Sequence, residues 1–244
     1  QQEPRITVHY ASLTKQRGAD LAVEAYHKEK SDFHQIVADL AGIKRKKAKT
    51  INLGLSYGMG RKRLIEALGI SEEEADKLIK KYHQNVPFIK GLSNTCMQSA
   101  SNKGYITTIL GRRCRFNMYE TINKKSIPLP YKEAVEKWGE HGLVRAYTYR
   151  ALNRLIQGSA ADMTKKAMID LWQEGYVPYV QVHDELDFGV SKQKEMENIK
   201  EIMESSIKLR VPNIVDVEIG KSWGDATKTY KKVLNERNQQ KERQ

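Results

Sequence analysis

Apolar positions recur at helical spacing through roughly the first two thirds of the chain and turn to alternation in the last third. Ile6, Tyr10 and Leu13 predict a helix from about Pro4 to Thr14, with Pro4 in a first turn that tolerates a missing N–H. A break near Gly18 precedes a helix from about Asp20 to Tyr26. Asp32 caps a further one from Phe33 to Leu40, which ends at Gly42. The next helix runs from about Lys44 to Tyr57 and closes at Gly58 and Gly60. Ser71, Glu72, Glu73 and Glu74 read as a capping box for a helix reaching His83, stopped by Pro87, and another spans Phe88 to Asn102.

Gly104 to Ile109 is short, β-branched and flanked by glycines, so a strand and a turn at Gly111 are expected. Residues 117–140, with Pro128 and Pro130, read as an insertion or surface arm, and a long helix is predicted from Leu143 to Glu174. Tyr176 to Val182 and Leu186 to Val190 then form a hairpin. Met196, Ile199, Met203 and Ile207 share a helical face, and Val215, Val217 and Ile219 alternate as a third strand. Strand, strand, helix, strand implies an antiparallel sheet with helices on one face, an α+β fold. Residues 227–244 carry six Lys or Arg against two Glu and few apolar groups, which marks a mobile basic extension.

Composition adds a partner class. Lys and Arg exceed Asp and Glu by 42 to 30, a formal charge of +12, as in proteins that neutralise phosphates. The cations cluster: Lys44, Arg45, Lys46, Lys47 and Lys49 crowd one stretch, Arg61 to Arg63 follow, and Arg112, Arg113 and Arg115 surround Cys114. No apolar run is long enough to span a membrane, and the first residues resemble no secretory signal. Two cysteines make no disulfide framework, so a reduced, cytoplasmic protein is expected.

Two elements carry candidate chemistry. Arg45, Lys49, Leu53 and Tyr57 are spaced by four, so they line one helix face. Two cations followed by an apolar and an aromatic group suit a nucleoside triphosphate, phosphates on the cations and base and sugar on the ring. Such a stripe equally suits a solvated basic face running into a core contact. His183, Asp184 and Glu185 stand at the hairpin tip, where adjacent carboxylates framed by apolar strands suit Mg²⁺. A polar hairpin turn is also common, and neither element decides alone.

Together and in order they do. Arg45-x3-Lys49-x7-Tyr57-Gly58 resembles the nucleotide-binding helix of family A DNA polymerases. Val182-His183-Asp184-Glu185-Leu186 resembles that family's second metal motif, and Asn153-x3-Gln157-Gly158-Ser-Ala-Ala-Asp162 is similar to its minor-groove helix. Gly104-Tyr105 with Thr108-x-x-Gly111-Arg112-Arg113 also fits. The resemblance covers nearly the whole chain, from Gln1 to about Trp223.

The resemblance implies mostly helical fingers plus an antiparallel-sheet palm of a right-hand polymerase, incomplete at the N-terminus. Its parts would be the start of a palm helix at 1–30 and fingers at 31–103 with the nucleotide helix 44–58. The palm at 104–226 with its metal hairpin 176–190 and the basic tail 227–244 would follow. Arg45, Lys49 and His34 would hold the triphosphate, Lys49 also protonating the pyrophosphate. Tyr57 would lie beneath the template base next to Glu3, which blocks a ribose 2′-hydroxyl, and Leu53 stands where an aromatic residue is usual. For His34, a satisfied helix histidine is the competing reading. Asn153 and Gln157 would probe the minor groove of primer-template DNA, with Arg112 a further DNA contact and His183 near the primer terminus. Asp184 would bind catalytic magnesium (Mg²⁺), with Glu185 a weaker participant.

The family's first metal motif, Asp-Tyr-Ser-Gln-x-Glu-x-Arg, is entered here at its fourth residue, as Gln1-Gln2-Glu3-Pro4-Arg5. The first catalytic aspartate is therefore expected on an upstream polymerase fragment, from a split gene, a splicing event or a trimmed chain, and this chain alone is expected to be inactive. Two alternatives remain at this point. A single-subunit RNA polymerase shares the Arg-Lys-Tyr-Gly helix and His-Asp turn, although Glu3 and Glu185 argue against it. A non-catalytic primer-template binding module would bind DNA without turnover.

Overall fold

The computed structural model describes residues 2–28, 34, 35, 38, 39, 42–56, 59–226, 228 and 229. They divide into two compact units, Gln1–Asp162 with Leu209–Pro212, and Met163–Lys208 with Asn213–Gln244.

The first unit is built on helices. α1 (Gln2–Leu13) buries Ile6, Val8 and Ala11, and also Arg5, Thr7, His9 and Ser12. A helix can bury so many polar groups only if each has a partner. Arg5 Nε donates to the Pro212 carbonyl at 2.8 Å, His9 Nδ1 accepts from the Arg210 amide at 3.1 Å, and Arg210 Nη1 donates to Ser12 Oγ at 3.2 Å. The short return segment Leu209–Pro212 is thus sewn along α1. α2 (Ala19–His27) follows Gly18, whose φ of 80° supplies the left-handed turn between the helices.

α3 (Arg45–Ser56) and α4 (Arg61–Leu68) precede α5 (Glu72–Asn85), which opens on the expected capping box between Ser71 and Glu74. α6 (Pro87–Lys103) starts with proline at its first turn, buries Phe88, Ile89, Leu92, Cys96 and Ala100, and ends at Gly104 with φ 75°. The predicted helix from Phe33 to Leu40 and its cap Asp32 lie largely outside the described residues, as does the basic tail.

After α6 the chain turns to short strands. β1 (Tyr105–Thr107) pairs antiparallel with β2 (Arg113–Arg115), so the expected strand is three residues long. The 117–140 segment is folded: β3 (Met118–Thr121) is the centre of a three-stranded antiparallel sheet, between β4 (Leu129–Pro130) and β5 (Leu143–Arg145). α7 (Tyr131–Trp138) lies between β4 and β5 in sequence. The long helix expected from Leu143 is therefore wrong at its start. Leu143, Val144 and Arg145 pair with Thr121, Glu120 and Tyr119, and Tyr147 then takes φ 61°, which no continuing helix allows. A short 3₁₀ turn (Thr148–Arg150) leads into α8 (Ala151–Gln173).

The second unit holds the rest of α8, the hairpin β6 (Val180–Val182) and β7 (Glu185–Asp187), α9 (Gln193–Ser205) and the pair β8 (Glu218–Ile219) and β9 (Lys228–Thr229). Met163, Ala167, Leu171, Met196, Ile199 and Ile207 are its buried apolar residues among those described. All pairing is antiparallel, in keeping with the α+β expectation, but the single sheet is not formed: β6–β7 and β8–β9 are separate two-stranded ribbons among the described residues. Val215 and Val217 lie outside a strand, because the Val215 amide is taken by Glu204 Oε1 at 2.8 Å instead of a strand partner. Both cysteines are free thiols, and burial pushes Cys96 up to about 12. No helix among the described residues is long and apolar enough to cross a membrane.

Candidate functional site

In the first unit α3 is two-faced. Ala48, Ile51 and Asn52 are buried, whereas Arg45 and Lys49, four residues apart, are exposed. The predicted cationic stripe is therefore a solvent-facing one, seated on a packed inner face. The side chain of Leu53 and the whole of Tyr57 lie outside the described residues. The Met59 side chain packs against Gly54, its Sδ 2.7 Å from where a Cβ would stand. Of the neighbouring cations, Arg61 is engaged with Glu72 and Asp76, each at 2.9 Å, so it belongs to the helix scaffold.

His34 is buried at 6% exposure. Asn52 Nδ2 lies 3.1 Å from its Nδ1, and the Tyr82 hydroxyl donates to Asn52 Oδ1 at 2.8 Å. The polar base under α3 thus joins three elements through residues that sequence reasoning, apart from His34, passed over. No sequence signal marked Asn52: seven residues after Arg45, it falls on almost the same helical azimuth as that exposed cation.

Glu3 lies in the first turn of α1, half-buried, and the neighbouring Gln2 Nε2 donates to the Ala160 carbonyl at 3.3 Å. Ala160 belongs to the motif Gln157 to Asp162 on α8. Asn153 and Gln157 are one turn apart on that helix; Gln157 is exposed, while Asn153 Oδ1 is buried and without a hydrogen-bond partner among the described residues. Buried acceptors of this kind are uncommon. Arg112 Nη2 donates to the Gly158 carbonyl at 2.9 Å, and Arg112 Nε donates to Asp162 Oδ1 at 3.0 Å. The Arg112 side chain stays half exposed (51%) beside an Asp162 side chain exposed at 6%. The β1–β2 turn is held further where Ser159 Oγ accepts from the Ile109 amide at 3.1 Å and meets the Tyr10 hydroxyl at 3.1 Å. Gly158 permits this approach, since a Cβ would stand 2.7 Å from Thr108 Cγ2. The structure brings Arg112, Gln157 and Gly158 together, and Asp162, given no role from sequence, anchors the group.

In the second unit the hairpin has a two-residue turn. Val182 pairs with Glu185, His183 and Asp184 form the loop, and His183 takes φ 54° as the tight reversal demands. Gln181 Nε2 donates to the His183 carbonyl at 2.7 Å and braces the turn. The expectation that apolar flanks grip the acids needs correcting: Val182 and Leu186 are half-buried and Val180 is 44% exposed, because three-residue strands bury little. Asp184 and Glu185 are exposed, and their carboxylates make no hydrogen bond or ion pair among the described residues. Three-ligand acidic clusters are absent among the described residues. Two bare carboxylates nevertheless suit Mg²⁺, which is commonly held by one or two carboxylates with the remaining positions left to phosphate oxygens and water.

A sequence profile of DNA polymerase family A matches residues 1–225. The chain belongs to DNA polymerase family A. It is 38% identical over 270 residues to a DNA-directed DNA polymerase of Pseudomonas phage M6, covering 92% of this chain and 37% of that protein. It is 34% identical over 239 residues to DNA polymerase I of Bacillus caldotenax, covering 92% of this chain and 25% of the relative. This family A chain thus spans well under half the length of those curated relatives. Its fold is similar to the POL domain of Pol1 from M. smegmatis in complex with DNA primer-template and dNTP, with TM-score 0.73 and 27% identity over 93% of this chain and 39% of that one.

Proposed function

We propose that this chain carries the nucleotide-binding and part of the metal-binding machinery for template-directed DNA synthesis, adding deoxynucleotides to a primer 3′ end by two-metal phosphoryl transfer. The observation that carries the reading is the two-faced α3, which presents Arg45 and Lys49 to solvent from a rigid, buried base. Rigid donors aimed at phosphate oxygens stabilise charge as it develops, without reorganising during the reaction.

In this reading Arg45, Lys49 and His34 bind the triphosphate of a deoxynucleoside triphosphate, and Lys49 delivers a proton to the departing pyrophosphate. Leu53 and Tyr57 pack on base and sugar, and Glu3 excludes a 2′-hydroxyl. Asn153 and Gln157 donate to minor-groove acceptors, which are present in every Watson–Crick pair, so they test shape more than sequence. Arg112 reaches the primer-template backbone with its free edge, and His183 stands by the primer terminus. Asp184, assisted by Glu185, holds Mg²⁺, which when bound activates the primer hydroxyl and neutralises the leaving phosphates. Two-metal transfer needs a further bridging carboxylate, which the proposal takes from an upstream segment bearing the family's first metal motif. The site of action would be cytoplasmic.

The test is primer extension with Mg²⁺, run with the chain alone and with that upstream segment added, and offering deoxy- and ribonucleotides. DNA product that requires the segment and disappears in Asp184→Ala supports the whole reading. Strong synthesis by the chain alone removes the need for the segment. RNA product selects the RNA polymerase alternative, and salt-sensitive DNA binding without extension in any mixture selects the binding module.

A further inference from the structure

Tyr82, Asn52 and His34 make one buried chain, with relative exposures of 0%, 3% and 6%. Asn52 Nδ2, 3.1 Å from His34 Nδ1, is a donor only, so the ring nitrogen it faces must offer a lone pair. The ring proton then sits on Nε2. An imidazolium would set one N–H against another and is disfavoured.

What stops the Asn52 amide from turning over is Tyr82. In the observed orientation the Tyr82 hydroxyl donates to Asn52 Oδ1 at 2.8 Å, its one acceptor among the described residues. A flipped amide would present Nδ2 to that hydroxyl and strand its proton in a fully buried place, at the cost of an unsatisfied donor. Burial also pushes the Tyr82 phenol far above its ordinary range, so the hydroxyl keeps its proton at every accessible pH. The direction of one O–H on α5 therefore sets, through an amide on α3, the tautomer of a histidine in the segment before it.

We propose that Tyr82 and Asn52 are positioning residues that hold His34 as the neutral Nε2–H tautomer, making it a directional hydrogen-bond donor to the incoming triphosphate and not a cation. This rests on the phosphate role given to His34 above. It also divides the labour: Arg45 and Lys49 supply charge, His34 supplies aim.

The tautomer is read on the full chain by ¹⁵N NMR of its histidines, without nucleotide, with His34→Ala used to assign the signal. Affinity for a deoxynucleoside triphosphate is measured separately. Expected are a protonated Nε2 and unprotonated Nδ1 in the native chain and a tautomer mixture in Tyr82→Phe. That variant should bind nucleotide about fivefold more weakly at unchanged primer-template affinity. Asn52→Asp, nearly isosteric, should draw the proton to Nδ1 and serves if Tyr82→Phe does not fold. A native ring protonated on Nδ1, or variants that lower thermal stability while leaving tautomer and nucleotide affinity alone, would overturn the inference. An Nε2–H ring combined with unchanged nucleotide affinity in His34→Ala would instead overturn the phosphate role on which it rests.

Discussion

α3 and the β6–β7 hairpin both carry charged groups assigned to phosphate chemistry, yet they are built in opposite ways. The helix sets its cations over Ala48, Ile51 and Asn52, which are buried, and a hydrogen-bond chain to Tyr82 braces the inner face. The hairpin sets Asp184 and Glu185 on a two-residue turn whose flanks are exposed or half-buried. A surface that must aim at phosphate oxygens gains from donors fixed in advance. A surface that must hold a divalent ion gains from carboxylates left uncompensated, since each proton or cation partner would compete with the metal. Packing serves the first and bareness the second.

The sharpest way to break this contrast is Asp184→Ala. With the upstream segment supplied, as for every variant assayed by extension, it should lower primer extension about a thousandfold or more. Stability should stay within about 0.5 kcal/mol, because the residue is exposed and its carboxylate has no partner among the described residues. A clear loss of thermal stability would show that the hairpin is held by its acids after all. Next comes Lys49→Ala, expected to slow single-turnover extension by about a hundredfold through loss of the proton donor, with primer-template affinity kept. Asp162→Ala belongs to the packed side. It strips the buried carboxylate from Arg112 and the β1–β2 turn and should cost about 2 kcal/mol in denaturant unfolding, well above any effect at Asp184.

The smallest effect concerns acid. Burial first, and then the neighbouring Arg210, hold the His9 imidazole below its ordinary range. The unfolded chain therefore takes up a proton as pH falls below about 6.5 while the folded chain does not, so stability declines, by at most about 1.4 kcal/mol per pH unit. It should be flat above that pH. Thermal melts between about pH 5 and 8 measure the slope, and His9→Gln should reduce it, leaving the part due to His83, which burial and then Lys90 also hold below its ordinary range. An unchanged slope would remove His9 from the account of acid sensitivity.

Much of the scaffold was legible because local chemistry fixed it. Ser71 to Glu74 announced the start of α5, and Pro87 and Gly104 bracketed α6. The strand-turn-strand pattern around His183 located the hairpin, although its strands are shorter than expected and Glu185 pairs within β7 instead of standing in the turn. The start of α8 was misread because Leu143 to Arg145 have apolar spacing that a helix would also accept. Only their pairing with Tyr119 to Thr121, over twenty residues earlier, makes them a strand. The candidate cations on α3 were readable from spacing by four. Asp162 and Asn52 were not, since a polar residue on a buried face declares itself only when its partner is known. Those partners, Arg112 and Tyr82, are 50 and 30 residues away.

The β3–β4–β5 segment enters and leaves at one place. The Ala146 amide donates to the Met118 carbonyl at 2.8 Å, and Arg145 Nη1 donates to the Phe116 carbonyl at 3.0 Å. The same guanidinium stacks on Tyr119 at 5.0 Å and lies against Gly104, where a Cβ would come within 2.6 Å of Arg145 Cζ. A loop whose two ends already touch can lengthen, shrink or be exchanged without moving what lies on either side. The segment is thus a closed excursion clasped at its neck by one arginine, so that a change in its length need not displace β2 or α8.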